Sequence, residues 1–460
     1  MADRPELVKG LGPYAATSVV AGTMIGTAIF VVPGIMLHHL GSPWLVLMVW
    51  VLAGFLSLFG ALGYAELGAA IPKAGGEYVY IHRSFGPLLG FLYGWVQFWV
   101  GKAGSIAAIS MGFMIYLGYF FPSLSSPIWQ SSFGSLELRL TGLQVGAALL
   151  IAFLSGLNTL GVRHSGAVQT VFTASKLVVL ALVVVLAFTI GQGSFGNLAT
   201  SVPVSAEHSF VAGFGLAMIS ALWAYDGWNN LSMVAGEVTN PQRNIPRALI
   251  VGCILVIAVY AVTNLAYFYV LTPAELAGTD KAAAEAARRI LGAAGGAFVA
   301  VGVMISAFAT LNGSILSGSR IPFAQARDGL FPRFLGQIHP RTHTPAWAIT
   351  AQALVASLLA LSGQYESLFT KVIFAEWLFY MLVTAGIFIL RRREPALERP
   401  YRTWGYPVVP AIFVVLAGLL LVNTWIERRS DSLWGLVIVA TGVPVFYLLK
   451  HRKIRSLPDA

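Results

Sequence analysis

Apolar runs of about twenty residues recur from one end of this chain to the other, and no other feature constrains its fold as tightly. A helix rises about 1.5 Å per residue, so a run of that length crosses a hydrocarbon core of roughly 30 Å. Approximately twelve such runs stand out, at 13–38, 43–70, 87–120, 141–160, 165–190, 209–236, 245–271, 291–321, 345–362, 368–390, 405–425 and 432–449. Composition agrees: 57% of the 460 residues are hydrophobic and 10% charged, where soluble domains carry about 25% charged residues. The first run follows a charged lead, Met1 to Lys9. It is too long for a signal-peptide core and has no small-residue cleavage pattern behind it, so it reads as retained. The expected fold class is an all-α membrane protein of about 12 transmembrane helices.

The formal net charge of +10 is distributed by side. With the N-terminus cytoplasmic, the loops on that side carry Lys9, Lys73, Arg83, Arg163, Arg243, Arg247, Arg320, Arg327, Arg333 and Arg341. They also carry Arg391, Arg392, Arg393, Arg399, Arg402, Lys450, Arg452, Lys453 and Arg455. The opposite loops hold Arg139, Lys281, Arg288, Arg289, Lys371, Arg428 and Arg429. This is the positive-inside pattern, which places both termini in the cytoplasm. The basic charge is thus a topology signal, and no nucleic-acid partner is expected.

Cys253, the one cysteine, falls in the seventh run. It excludes an intramolecular disulfide and reads as a small core residue. There is no CxxC, His cluster or HExxH, so neither a metal site nor a cofactor is expected; His38 and His39 read as a wet pair at a helix end.

Two runs contain residues that fit a continuous helix poorly. The first, "SVVAGTMIGTAIFVVPG", sets Gly22, Thr23, Gly26 and Thr27 near its middle, although an interior glycine costs a helix about 1 kcal/mol against alanine. The sixth, "ALWAYDGWNNLS", places Tyr225, Asp226, Gly227, Trp228, Asn229 and Asn230 in an apolar helix. Unwound backbone in a membrane is tolerated only where it faces protein or a watery cavity. Corresponding breaks in two halves point to an inverted-repeat transporter with its binding site at the breaks. The repeats would be 1–190 and 209–392, with 403–460 holding the last two helices. Freed amides and the positive end of a following half-helix suit an anion, freed carbonyls suit an ammonium, and the Thr23 and Thr27 hydroxyls add donors. The competing explanation for such small residues is close helix packing.

Six motifs in order resemble the amino acid–polyamine–organocation (APC) superfamily, and within it the L-type amino acid transporters. They are "GTMIGTAIF", "GYAELGAAIPKAGGEYVYI" (63–81), "QTVFTASKLVVLAL" (169–182), "WAYDGWNN…GEVTNPQRNIPRA" (223–248), "LNGSILSGSRIPFAQARDGLFP" (311–332) and "RRREPALERPYR" (391–402), and they cover nearly the whole chain. The resemblance implies a LeuT-type 5+5 inverted repeat with broken helices 1 and 6, and amino acid transport by alternating access. It implies that the substrate carboxylate meets amides and hydroxyls around Thr23, Gly26, Thr27 and Ala28, and its ammonium the carbonyls of Met24, Trp223 and Asp226. Ile25, Ala224 and Tyr225 complete the two unwound stretches, and Trp223 aligns with an aromatic gate. Ala28 replaces a glycine frequent in the family and should narrow the carboxylate end of the pocket. Asp226 stands where many animal members have glycine; it would tune specificity, carry a proton, or cap the second half of helix 6.

Lys176 lies about eleven residues into helix 5, or roughly 17 Å deep, where an ionisable group reads as functional and snorkelling reaches the interface poorly. Related sodium-coupled transporters hold a sodium ion between helices 1, 5 and 8. An ammonium bridging helix 1 carbonyls to Ser314 of helix 8 would replace that ion and make transport sodium-independent. Lys102 is at a position often basic in the family or simply at a helix boundary. Glu66 is expected to pair with a cytoplasmic arginine, and Glu376 and Trp377 to border the pocket or anchor a helix end.

The resulting expectation is an exchanger of small neutral L-amino acids, since Ala28 and Trp223 both consume volume. Proton-coupled symport, or transport of cationic amino acids or polyamines, is the alternative. No nucleophile–base pair suggests an enzyme, and no ring of like residues suggests a channel. The loop between helices 3 and 4 lacks the cysteine through which animal relatives join a heavy chain, so no disulfide-linked partner is expected beyond substrate and membrane lipid. A bacterial plasma membrane is the expected setting. Residues 272–290 read as an amphipathic extracellular helix over the outer vestibule.

Overall fold

The computed structural model describes residues 6–133, 136–204, 209–279, 281–292, 294–363, 365–427 and 429–455. Among these, nine helices are long and apolar enough to cross a membrane, from Pro43–Ala70 to Arg429–Lys450. The difference from twelve has a local cause in each of the other three spans. Span 1 is broken into Pro13–Met24, Ala28–Phe30 and Val32–Leu40. Span 6 is the helix Phe210–Tyr225, followed after a break by Asn230–Met233 and Ala235–Glu237. Span 9, Ala346–Ser362, is a continuous helix of 17 residues that ends at the left-handed Gly363.

Span 1 lies at the centre, against span 5 (Val162–Thr189), span 7 (Pro241–Val270) and span 8 (Ala294–Gly318). Lipid offers apolar groups no less than protein does, so close approach of small residues drives such packing. Gly22 shows the tolerance: a Cβ there would sit 2.2 Å from Thr173 Oγ1 and 2.3 Å from Gln169 Nε2 of span 5. Span 3 runs from Pro87 to Leu117 through a π-helical turn at Gln97–Gly101. Spans 11 and 12, Val408–Glu427 and Arg429–Arg455, are peripheral, with 28% and 22% of their apolar windows buried.

At the basic face, Leu11 forms a parallel bridge with Val238, and the amides of Gly10 and Leu11 both donate to Glu237 O at 2.9 Å. Beneath it the fully buried Arg320 and Glu237 pair through two hydrogen bonds, of 2.7 and 3.0 Å. Glu66 does meet arginines, accepting from Arg391 at 2.9 and 2.6 Å and lying 3.4 Å from Arg399. A cavity of about 790 Å³ opens on this face, lined by Lys73, His82, Arg83 and Arg327 among others.

Two loops differ from their sequence reading. The cysteine-free segment after span 3 forms an antiparallel hairpin, Pro127–Phe133 with Leu136–Thr141. Residues 272–290 are two helices, Pro273–Ala277 and Ala282–Leu291, joined by the Glu275–Arg289 pair at 2.7 Å. Thr272 and Glu275 form a capping box. The Thr272 amide, its hydroxyl and Arg289 hold the Glu275 carboxyl below the usual range.

Candidate functional site

The helix of span 1 ends at Met24, and the Gly26 amide turns back to Met24 O at 2.8 Å. The chain re-forms as a 3₁₀ turn at Ala28–Phe30. Among the described hydrogen bonds, the amides of Thr27, Ala28 and Ile29 donate to no protein acceptor. Three consecutive free N–H groups at a break make a site for a carboxylate. Two of these residues were expected, whereas Ile29 was not.

Thr23 behaves differently from expectation. Its hydroxyl lies 2.6 Å from Val19 O and 2.8 Å from Gly227 O. The single hydroxyl proton is thus committed to backbone, and Thr23 ties the break of span 1 to that of span 6. Gly227 must be glycine here. Its φ is +121°, and a Cβ would lie 2.8 Å from the Thr23 carbonyl carbon.

Of the carbonyls assigned to an ammonium, Met24 O already has the Tyr260 hydroxyl at 2.8 Å, and Trp223 O accepts the Asp226 amide at 3.2 Å. The third, Asp226 O, accepts nothing among the described residues, and neither does Tyr225 O, which was not among those assigned. Tyr260 also reaches Ala224 O at 2.9 Å, so one hydroxyl of span 7 spans both breaks. No sequence signal marked it, because an aromatic in an apolar run reads as packing. Trp223 is 40% exposed at the end of its half-helix, the placement of a residue with room to move. Asp226 does not cap the second half of span 6, where Asn229 is the N-cap; it ends the first half, and its Oδ1 accepts the Tyr380 hydroxyl of span 10 (Tyr365–Arg393) at 2.7 Å.

Lys176 is 1% exposed, and its ammonium reaches Gly22 O at 2.8 Å, Ile25 O at 2.5 Å, Ser306 O at 3.0 Å and Thr310 Oγ1 at 3.1 Å. Helix 1 carbonyls are joined to helix 8 as expected, but the expected partner Ser314 is replaced by Thr310, one turn earlier. Ser306 adds its hydroxyl to Ile25 O at 2.9 Å. Oxygens from spans 1 and 8 therefore surround one nitrogen, an arrangement that also suits a small cation. Hydroxyls spaced i, i+4 in an apolar helix were the available signal for Ser306 and Thr310.

Away from the breaks, Lys102 donates to Asn230 Oδ1 at 2.8 Å, and the same oxygen accepts Ser317 at 2.7 Å. Glu77, the first residue of the short helix Glu77–Phe85, accepts from Tyr64, Tyr93 and Asn229 at 2.7, 2.5 and 3.1 Å. The Asn229 amide nitrogen also lies 3.2 Å from the Tyr380 hydroxyl. A buried polar chain thus runs from Asp226 to the basic-face helix.

Two unwound helices meeting inside a multi-span bundle, one leaving amides free and the other carbonyls, define a membrane transporter for a small zwitterion. The chain belongs to the amino acid permease family, whose model matches residues 11–449, and its relatives place it among the L-type amino acid transporters. It is 35% identical over 452 residues to the Asc-type amino acid transporter 1 of Mus musculus, covering 97% of this chain and 82% of that one. It is 33% identical over 450 residues to the serine/threonine exchanger SteT of Bacillus subtilis, with 97% and 98% covered. The b(0,+)-type amino acid transporter 1 of Homo sapiens is 34% identical over 457 residues, with 97% and 89% covered.

Proposed function

We propose that this protein is a sodium-independent exchanger of small neutral L-amino acids working by alternating access. The observation that carries the reading is Lys176: a fixed ammonium fills the oxygen shell between spans 1, 5 and 8, so no mobile cation is needed to join them. The substrate carboxylate binds at the amides of Thr27, Ala28 and Ile29. Its ammonium binds at the carbonyls of Tyr225 and Asp226, and Trp223 closes over it. Relatives named as a serine/threonine exchanger and an Asc-type transporter support exchange and a small substrate. The two breaks support a 5+5 inverted repeat of 1–190 and 209–392, with 403–460 outside it. The charge asymmetry supports cytoplasmic termini in a plasma membrane, and the buried Cys253 supports a transporter without a disulfide-linked heavy chain.

Asp226 favours a second reading. A partly exposed carboxylate at the break suits a substrate with a cationic side chain, or a coupled proton. Uptake of labelled serine into sodium-free proteoliposomes separates these readings. Uptake only into vesicles preloaded with neutral amino acids is expected. Uptake into empty vesicles that follows an imposed pH gradient means proton symport. No serine uptake, with competition by arginine for binding, means a cationic substrate.

A further inference from the structure

Gln97 is wholly buried in span 3, and neither end of its side-chain amide has a hydrogen-bond partner among the described residues. It opens the π-helical turn Gln97–Gly101, a distortion found disproportionately at functional sites. Its oxygen faces Glu376 of span 10 across Gly101. A Cβ built on Gly101 would lie 2.7 Å from Gln97 Oε1 and 3.1 Å from Glu376 Oε1. Glu376 is 6% exposed, so both oxygens border one largely buried spot beside Gly101.

Two acceptor oxygens gathered round one glycine repel each other unless a hydrogen stands between them. A protonated Glu376 would donate its O–H to Gln97 Oε1. An ionised Glu376 would accept from Gln97 Nε2 after a half-turn of the amide, whose oxygen and nitrogen are exchanged by that rotation. Gln97 therefore offers Glu376 a partner in either charge state. Among the described residues, the charged and titratable groups facing Glu376 are Asp226 of span 6, Lys102 of span 3, Glu77 of the basic-face helix, and the Tyr93 and Tyr380 hydroxyls. One ammonium stands among three carboxyls, and that ammonium is already bonded to Asn230. A proton on Glu376 relieves the imbalance without bringing in another ion.

We infer that Glu376 is a proton-binding site of the transport cycle, with Gln97 as the amide that serves both of its states. The inference rests on the transporter reading above and adds a proton to it. In the step, hydronium delivers a proton to a Glu376 carboxylate oxygen, an O–H bond forms and water leaves; the reverse step returns the proton to water. The amide of Asn229 donates to Glu77 and points its other contact at Tyr380. A proton does not hop through such an amide, so the polar chain to the basic face fixes charges and does not relay the proton.

Serine exchange measured without sodium, at equal pH on both sides of the vesicle, tests the site together with infrared difference spectra of the purified protein. Above the titration point the wild type should lose on the order of tenfold in rate per pH unit, because the protonated fraction falls by that factor. The slope should vanish in Glu376→Gln, along with the C=O band of a buried protonated carboxyl. Gln97→Leu should shift the pH at which the band titrates, and this decides the matter if Glu376→Gln does not fold. A pH-independent wild-type rate, a slope retained in Glu376→Gln, or a carboxyl band unchanged by both substitutions overturns the inference and leaves exchange standing. Absence of exchange at every pH, with the band titrating as expected, overturns the exchanger reading and leaves the proton site.

Discussion

Lys176 has three donors and four acceptors around it, so one contact is shared and none is idle. Hydrogen bonds from a charged group contribute about 1.5–3 kcal/mol each. Lys176→Met should therefore slow serine exchange by at least about tenfold and lower the melting temperature. Lys176→Arg should not rescue either, because a planar guanidinium cannot fill a shell built round a point charge. Retention of wild-type exchange in Lys176→Met would remove the basis for sodium independence. Gly227→Ala should cost on the order of 1–3 kcal/mol, since it combines a strained φ with a clash against span 1. Its readouts are a lower melting temperature and weaker serine binding. Depth alone marked Lys176 in the sequence. The choice of Thr310 over Ser314 was not legible, because residues four apart share one helix face and only the packed helices fix the height of the lysine.

Breaks in spans 1 and 6 are where local sequence and long-range contact meet. Gly22, Gly26 and Gly227 made the breaks legible, but the donors that became free depended on how the chain turned back. Gly26 spent its amide on Met24 O and Thr23 its hydroxyl on backbone, which moved the free donors along to Thr27, Ala28 and Ile29. A comparable contact closes the basic face, where Glu237 follows span 6 and Arg320 follows span 8, both fully buried. Removing one partner of a buried ion pair costs about 3–5 kcal/mol, because the other charge is left stranded. Glu237→Gln should therefore destabilise the protein strongly, and Glu237→Gln combined with Arg320→Met should recover much of the loss in thermal unfolding. Equal loss in both variants would mean that the pair's contribution lies in packing and not in charge.

Across the whole molecule, the basic face is closed by the Leu11–Val238 bridge and the Glu237–Arg320 pair, while Trp223 and Thr27 keep some exposure. Under the alternating-access proposal, this is a state shut on the side that bears the N-terminal segment. The cavity on that face provides a topology test. Ala74 lines it, and Cys253 is buried and silent, so Ala74→Cys provides the one reactive thiol. A membrane-impermeant maleimide should label right-side-out vesicles only after permeabilisation; labelling of sealed vesicles would reverse the assigned orientation.

The multi-span membrane class, the charge asymmetry, the two breaks and the deep lysine were legible in the residues alone. Each of these is a local property: run length, side-chain charge, or a residue that fits a helix badly. Tertiary structure decided which hydroxyl completes the lysine shell, that Tyr260 joins the breaks, and that Gln97 faces Glu376 across Gly101. Those pairings link residues dozens to hundreds of positions apart through helix rotation and height, and side-chain periodicity within one helix sets neither relative to its neighbours.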